Sequence, residues 1–378
     1  MKVVVAIDSF KGSLSSLAAG NAVKEAVLKA DDKAEVVVKA LADGGEGTVS
    51  AFLETENAEA VTLPVTGPLG APVTATYCIL KDKDLAVVEM AEAAGITLVP
   101  TEMRNPLNTT TYGVGEMIKD AIEKGCRRFI IGIGGSATND GGTGMLSALG
   151  YEFLDESGNP VPLGAKGLES LKEIKCDKIL PQLSECSFSV ACDVANPLCG
   201  ESGCSAVYGP QKGATAEMIE KMDGWLKNFA LLTKEKFPNS DANHPGSGAA
   251  GGLGFAFLSF TNSTLKSGVD IIISETELEK HIKDADIVVT GEGRLDSQTV
   301  MGKAPIGVAK LAKKYNKRVI AFSGCVTEDA EILNDNGIDA FFPILRGVTT
   351  LDEALQTEAA YKNLTATAYQ VFRLIADA

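Results

Sequence analysis

The sequence predicts an α/β fold: a parallel-sheet domain built from both termini, with a second, mixed-sheet α/β domain inserted. Three observations predict it. Short apolar, β-branched runs alternate with runs of helical spacing. The apolar runs end repeatedly in loops of glycine, carboxylates and small polar residues. The first stretch holds only two such strands, too few to bury a parallel sheet, and strands of the same kind return near the other end.

Residues 2–7 read as a buried parallel strand, followed by the loop Asp8-Ser9-Phe10-Lys11-Gly12-Ser13. Residues 14–28 carry helix-spaced Leu17, Val23 and Val27. Residues 35–39 form a second strand. Its loop runs from Ala42 to Thr48, where Asp43 and Glu46 match capping-box spacing, and a helix follows to about Leu53. In the middle, strands are predicted at 60–65, 74–80, 85–90, 129–133 and 187–192, and helices at 113–124, 216–236 and 249–260. Gly67-Pro68-Leu69-Gly70 reads as a hairpin turn, which makes this sheet mixed. Residues 269–274 fit strand and helix equally. Towards the end come a strand at 286–290 with its loop Gly291 to Ser297, a helix at 304–314, strands at 318–322 and 339–343, and a long helix from about Leu351. The domains are thus residues 1–65 with 270–378, and residues 66–269. Two consecutive domains split near Gly150 are the weaker alternative, because they leave a two-stranded parallel fragment.

Composition narrows the function. Hydrophobic residues make up 45% and charged residues 22%, which suits packed cores rather than disorder. The net charge of −15 and the absence of any basic run longer than a pair or two argue against a nucleic-acid surface. No apolar run reaches the roughly 18 residues of a membrane span, and residues 3–7 are too few for a signal segment. Eight scattered cysteines without a CxxC pair, and two distant histidines, read as a reduced cytoplasmic protein without a zinc site. A monomer or homodimer acting on a small molecule is expected.

In open α/β sheets, ligands bind outside the carboxyl ends of the strands. The polar clusters of this chain all fall there: Asp8 to Lys11, Asp43 to Glu46, Gly134 to Gly144, Asp193 to Pro197 and Glu292 to Asp296. The stretch from Phe129 to Gly144 is strand, glycine-rich loop and helix start, an arrangement that presents backbone N–H groups to phosphate. Carboxylates, glycine-rich loops and a few cations in an interdomain cleft suit phosphoryl transfer. Candidate catalytic residues are Lys11, Asp193, Arg294 and Asp296. Nucleotide-binding candidates are Gly134, Gly135, Ser136, Thr138, Asn139, Asp140 and Gly141. Substrate-binding candidates are Ser9, Lys11, Asp43 and Arg294, and metal-ligand candidates are Asp43, Asp193 and Glu292. Structural readings stand beside these: Asp8 as a cap, and Glu292 with Arg294 as an ion pair. No GxxxxGK[ST] occurs. Gly246 to Gly251 matches a dinucleotide fingerprint formally, but no strand precedes it, so an NAD(P)-dependent oxidoreductase fails its context test. A non-catalytic nucleotide-binding regulator would not need acidic clusters on several loops.

Six motifs, in order, carry a resemblance: Asp8-Ser9-Phe10-Lys11-Gly12, Ala42 to Thr48, Gly132 to Gly142, Asp193 to Leu198, Gly248 to Gly254, and Thr290 to Asp296. The chain resembles the bacterial glycerate kinases of the type I family from residue 1 to about 375. The resemblance implies ATP-dependent phosphorylation of D-glycerate with Mg²⁺, mostly to 2-phosphoglycerate, with 3-phosphoglycerate as the alternative. It also implies two α/β domains, one inserted in the other.

Overall fold

The structure, a computed structural model, describes residues 1–376 apart from Glu46 and Glu56. In chain order the strands are β1 (Lys2–Val5), β2 (Glu35–Val38), β3 (Ala58–Thr66), β4 (Pro72–Leu80), β5 (Leu85–Glu89), β6 (Arg128–Gly132), β7 (Glu152–Leu154), β8 (Glu173–Lys175), β9 (Ser187–Ala191), β10 (Ser263–Lys266), β11 (Ile287–Leu295), β12 (Arg318–Val326) and β13 (Ala340–Pro343). Contacts group the chain into two compact units, residues 1–43, 50–55 and 269–378, and residues 44–49 and 56–268.

The first unit holds a five-stranded, all-parallel sheet in the order β13-β12-β11-β1-β2. Val3, Val4 and Val5 of β1 are wholly buried, which is why this strand reads as a continuous apolar run. The helix Ser16–Ala30 follows it, capped by the Ser15 side chain, which accepts from the Ala18 N–H at 3.2 Å. Its buried Ala19, Val23 and Ala26 pack towards the C-terminal helix Thr357–Ala376. From β1 the chain steps one way to β2, and the later strands lie on the other side. The order therefore reverses between β1 and β11, where an open α/β sheet offers a crevice.

The second unit holds a six-stranded mixed sheet, β10-β9-β6-β5-β4-β3. β10, β9, β6 and β5 are parallel, while β4 and β3 form an antiparallel hairpin. The predicted turn closes it, with the Gly67 N–H donating to Ala71 O at 2.7 Å. The parallel-sheet and mixed-sheet α/β architecture expected from the sequence is present.

Several elements differ from expectation. β3 pairs along its whole length with β4, so residues 58–65, expected in the first domain, group with the second unit. Residues 291–295 are not loop but the second half of β11, because Glu292 and Arg294 stay in register with Ser323 and Cys325 of β12. The ambiguous segment is helical, Gly268–Glu275. The long terminal helix is two helices, Leu351–Ala354 and Thr357–Ala376. A small antiparallel pair, β7 with β8, was not foreseen. The helix Ala249–Phe260 begins with three left-handed residues, Ala250, Gly251 and Gly252. Glu46, half of the expected capping box with Asp43, lies outside the described residues. Among those described, no helix is long and apolar enough to cross a membrane.

Candidate active site

In the first unit, backbone pairing delivers the loop after β1 to the end of β11. The Asp8 N–H donates to Gly291 O at 2.9 Å, and Gly12 (φ +77°) turns the chain back so that Leu14 N–H reaches Phe10 O. Ser16 pins two loops at once: its Oγ donates to Ile7 O at 2.7 Å and accepts from Leu41 N–H at 2.8 Å. Gly293 passes close to Phe10 and Lys11, where a Cβ would lie 3.6 Å from the Lys11 nitrogen.

These loops enclose a cavity of about 400 Å³ within the first unit. Its walls carry the charged residues Asp8, Lys11, Asp43, Glu292, Arg294 and Lys303. They also carry the apolar residues Ile344, Leu345, Leu351 and Leu355. Of the sequence candidates, Ser9, Lys11, Asp43, Glu292 and Arg294 thus meet in one place.

Burial disfavours charge on two of the carboxylates there, Asp8 and Glu292. Burial pushes the Asp8 carboxyl up to about 7, aided by the negative charges of Asp43 and Glu292. The Ser9 N–H, at 2.7 Å, and Lys11 oppose that rise. Burial also raises Glu292, while the Thr299 hydroxyl at 2.8 Å and Lys303 pull it down. Glu292 and Arg294 are not the expected ion pair. Neighbouring positions on a strand point to opposite faces at each step, but residues two apart share a face. Arg294 pairs instead with Asp296 at 3.2 Å, and Lys303 lies 3.8 Å from Glu292 and 3.9 Å from Asp296. Asp296 also caps the turn Ser297–Met301, accepting from Gln298 N–H at 3.0 Å. Its geometry is that of an anchor for Arg294.

The glycine-rich loop of the second unit is built differently. Asp140 is fully buried. Its Oδ2 accepts from Thr111 N–H at 2.8 Å, Thr111 Oγ1–H at 2.9 Å and Gly144 N–H at 3.3 Å, and its Oδ1 accepts from Gly142 N–H at 3.1 Å. Lys212, also buried, donates to Ser136 Oγ at 2.7 Å and Thr138 O at 2.6 Å, and its burial lowers its pKa to about 8. Asn139 donates to Ser205 Oγ at 2.8 Å. Gly141 (φ +64°) packs against Leu226 and Phe229, and a Cβ on Gly144 would run into Thr110 Oγ1. Only Gly134 and Gly135 of the candidates are exposed. Asp193, also exposed, follows β9 and accepts from Gly268 N–H at 3.3 Å.

The glycerate kinase family model matches residues 3–376. The chain belongs to the glycerate kinase family. It is therefore an enzyme, a kinase. It is 45% identical to a glycerate kinase of Haemophilus influenzae, over 100% of this chain and 99% of that one. It is 45% identical to the glycerate 2-kinase of Escherichia coli K12, over 96% and 95%. A crystal structure of a putative glycerate kinase 2 from Salmonella typhimurium LT2 superposes with a TM-score of 0.92 at 45% identity, covering 99% of this chain and 98% of that one.

Mg²⁺ is an expectation from the sequence, and the donors fit a hard cation. The cavity offers Asp8, Asp43 and Glu292, all oxygen ligands, and burial raises the Asp8 and Glu292 carboxyls, with the negative charge of Asp43 adding to the rise. Among the described residues no group of three His, Cys, Asp or Glu is arranged as a metal cage. Mg²⁺ does not require one, since it is usually held by one or two carboxylates, waters and substrate phosphates.

Sequence reasoning passed over Asp8 as a site residue, and over Lys303 and Lys212. The cap reading of Asp8 was reasonable, because burial and the approach of Asp43 and Glu292 are three-dimensional facts. Lys303 did leave a signal: it is the N-cap of Ala304–Lys314, and a cation is unfavourable at that end of a helix unless something else holds it.

Proposed function

We propose that the protein transfers the γ-phosphoryl group of ATP to the 2-hydroxyl of D-glycerate, giving 2-phosphoglycerate and ADP, with Mg²⁺ as cofactor. The observation that carries this reading is the first unit's cavity, whose walls carry the cations Lys11, Arg294 and Lys303 and the carboxylates Asp8, Asp43 and Glu292. Arg294 holds the glycerate carboxylate, because a guanidinium offers two parallel N–H bonds. Asp296 fixes its orientation. Lys11 and Lys303 balance the charge of the transferred phosphoryl. Asp43, Glu292 and Asp193 are the candidates for Mg²⁺, which when bound neutralises the nucleotide phosphates. A carboxylate accepts the hydroxyl proton, and Asp193 and Asp296 remain candidates beside Asp8. The exposed backbone of Gly134 and Gly135 is the part of the glycine-rich loop open to an anion. The reading also takes the two units as the two domains, the protein as cytoplasmic, its state as monomer or homodimer, and its partners as small molecules without nucleic acid or membrane.

The test is turnover with D-glycerate and MgATP, following ADP release, with the product's phosphate position assigned by ³¹P–¹H NMR. Coupling to the C2 proton supports the proposal, and coupling to C3 protons moves it to 3-phosphoglycerate. Arg294→Lys keeps the charge and loses the fork, so kcat/KM for glycerate falls by about 10²-fold, the scale of a lost charge-assisted contact. Near-normal kcat/KM in that variant overturns the role of Arg294.

A further inference from the structure

The cavity of the first unit is larger and more apolar than glycerate needs. Every carbon of glycerate carries oxygen, so the molecule has no apolar face to bury. Yet Ile344, Leu345, Leu351 and Leu355 line the cavity. Leu351 is 74% exposed and Leu345 41% exposed, although both belong to this concave wall. Apolar side chains left in water on the wall of a cavity of ~400 Å³, within the range of small-molecule sites, mark a place that a flat apolar group covers. Asn363 stands on the same wall and brings an amide, which can pair with a base edge. The cations Lys11, Arg294 and Lys303 line the same cavity, and a base joined to a phosphate chain requires both kinds of wall. The site also sits where the strand order reverses, between β1 and β11.

We propose that these apolar residues form the purine subsite of the nucleotide, with Leu351 and Leu355 against the ring face and Asn363 at its edge. The proposal rests on the ATP-dependent reading above. It assigns the base to the first unit rather than to the glycine-rich loop, whose Ser136, Thr138, Asn139 and Asp140 are buried among their own neighbours.

The experiment uses the full chain and isothermal titration calorimetry, with ADP and inorganic tripolyphosphate as probes, beside steady-state kinetics. Leu351→Ser and Leu355→Ser remove apolar area without adding charge. Each weakens ADP about tenfold, leaves tripolyphosphate unchanged and leaves the KM for glycerate within about twofold. Asn363→Leu narrows the preference for ATP over GTP. Leu351 is exposed, so its variant folds even where Leu355→Ser does not. Unchanged ADP affinity in Leu351→Ser, or a parallel loss of tripolyphosphate, overturns the proposal. So does a Gly135→Val variant that weakens ADP tenfold while Leu351→Ser does not. A wild-type chain that turns over glycerate while the serine variants bind ADP normally defeats the subsite alone. A wild-type chain that neither binds ADP nor releases it from ATP with glycerate defeats the underlying reading.

Discussion

Asp8 and Asp140 both follow a strand whose neighbours run parallel to it, and both are buried, at 6% and 0% exposure. Their surroundings are opposite. Four donors of the protein converge on Asp140, and its loop closes around it. Among the described residues the Ser9 N–H donates to Asp8, while Asp43 and Glu292 repel it across a cavity. Burial raises both carboxyls, but at Asp140 the donors of the surrounding fold oppose the rise. A buried carboxylate left facing like charges is held there against its own electrostatics, and that marks a place for a ligand. Residue type and loop composition do not distinguish the two cases. The destination of each hydrogen bond does.

The largest expected effect breaks or sustains this contrast directly. Asp140→Asn sets an amide where the carboxylate received N–H and O–H groups, at roughly 1–3 kcal/mol for each donor left unmatched. Its urea midpoint falls well below that of wild type. Asp8→Asn removes a repelled charge, so at pH 7 without Mg²⁺ its stability equals or exceeds that of wild type. The sign follows from linkage. Asp8 has an ordinary value of 3.8 and rises to about 7 in the native state, so the native chain binds more protons between those limits. Wild type therefore loses stability as the pH climbs from about 4 to about 7, and Asp8→Asn lacks that part of the slope. Equal destabilisation by both substitutions would remove the distinction between the two regions.

Much of the fold was legible because it rests on local pattern. Residues 216–236 and 304–314 are helices with the expected bounds, since apolar spacing and the flanking breakers agree there. The return of strands at 287–295 and 318–326 followed from the need to bury β1 on both sides. What was not legible depended on pairing. Glu292 and Arg294 look like loop residues until β12 runs alongside them, and residues 152–154 and 173–175 are too short and too far apart to announce a hairpin. The candidate site divided in the same way. Lys11 and Arg294 stand out as cations beside glycines after strands. The four polar candidates of the glycine-rich loop, Ser136, Thr138, Asn139 and Asp140, stand out equally, although their partners lie far off in sequence, at Thr111, Ser205 and Lys212.

Lys212 gives the next largest effect. Its two hydrogen bonds hold Ser136 and Thr138, and Lys212→Met leaves both acceptors unmatched, while relieving the burial of a cation. The two changes oppose each other, so the loss near pH 7 is smaller than for Asp140→Asn. The pH dependence is more telling. Lys212 has an ordinary value of 10.5 and falls to about 8 in the native state, because burial disfavours its charge. Between those limits the unfolded chain binds more protons, so stability rises as the pH climbs from about 8 to 10.5. Urea midpoints across that window rise in wild type and stay flatter in Lys212→Met. A flat wild-type profile would mean that Lys212 is not buried as the loop requires.

The smallest effect belongs to Gly135, the exposed member of the loop. Its φ of +73° disfavours a side chain, but the nearest atom to a Cβ there is Ala91 Cβ, at 3.8 Å. Gly135→Ala therefore meets backbone strain alone, about 1–2 kcal/mol. At Gly141 the same substitution adds strain at φ +64° to crowding by Leu226 at 3.0 Å and Phe229 at 3.1 Å, and it costs more. The difference between the two, read from thermal or urea unfolding, measures how far the loop is packed rather than open. Gly135→Ala also keeps the backbone N–H, so an anion held by that backbone stays bound, whereas a bulkier Gly135→Val shields it. Equal costs at Gly135 and Gly141 would show that the exposed end is as tightly held as the buried one, and would leave the loop no open backbone for a phosphate.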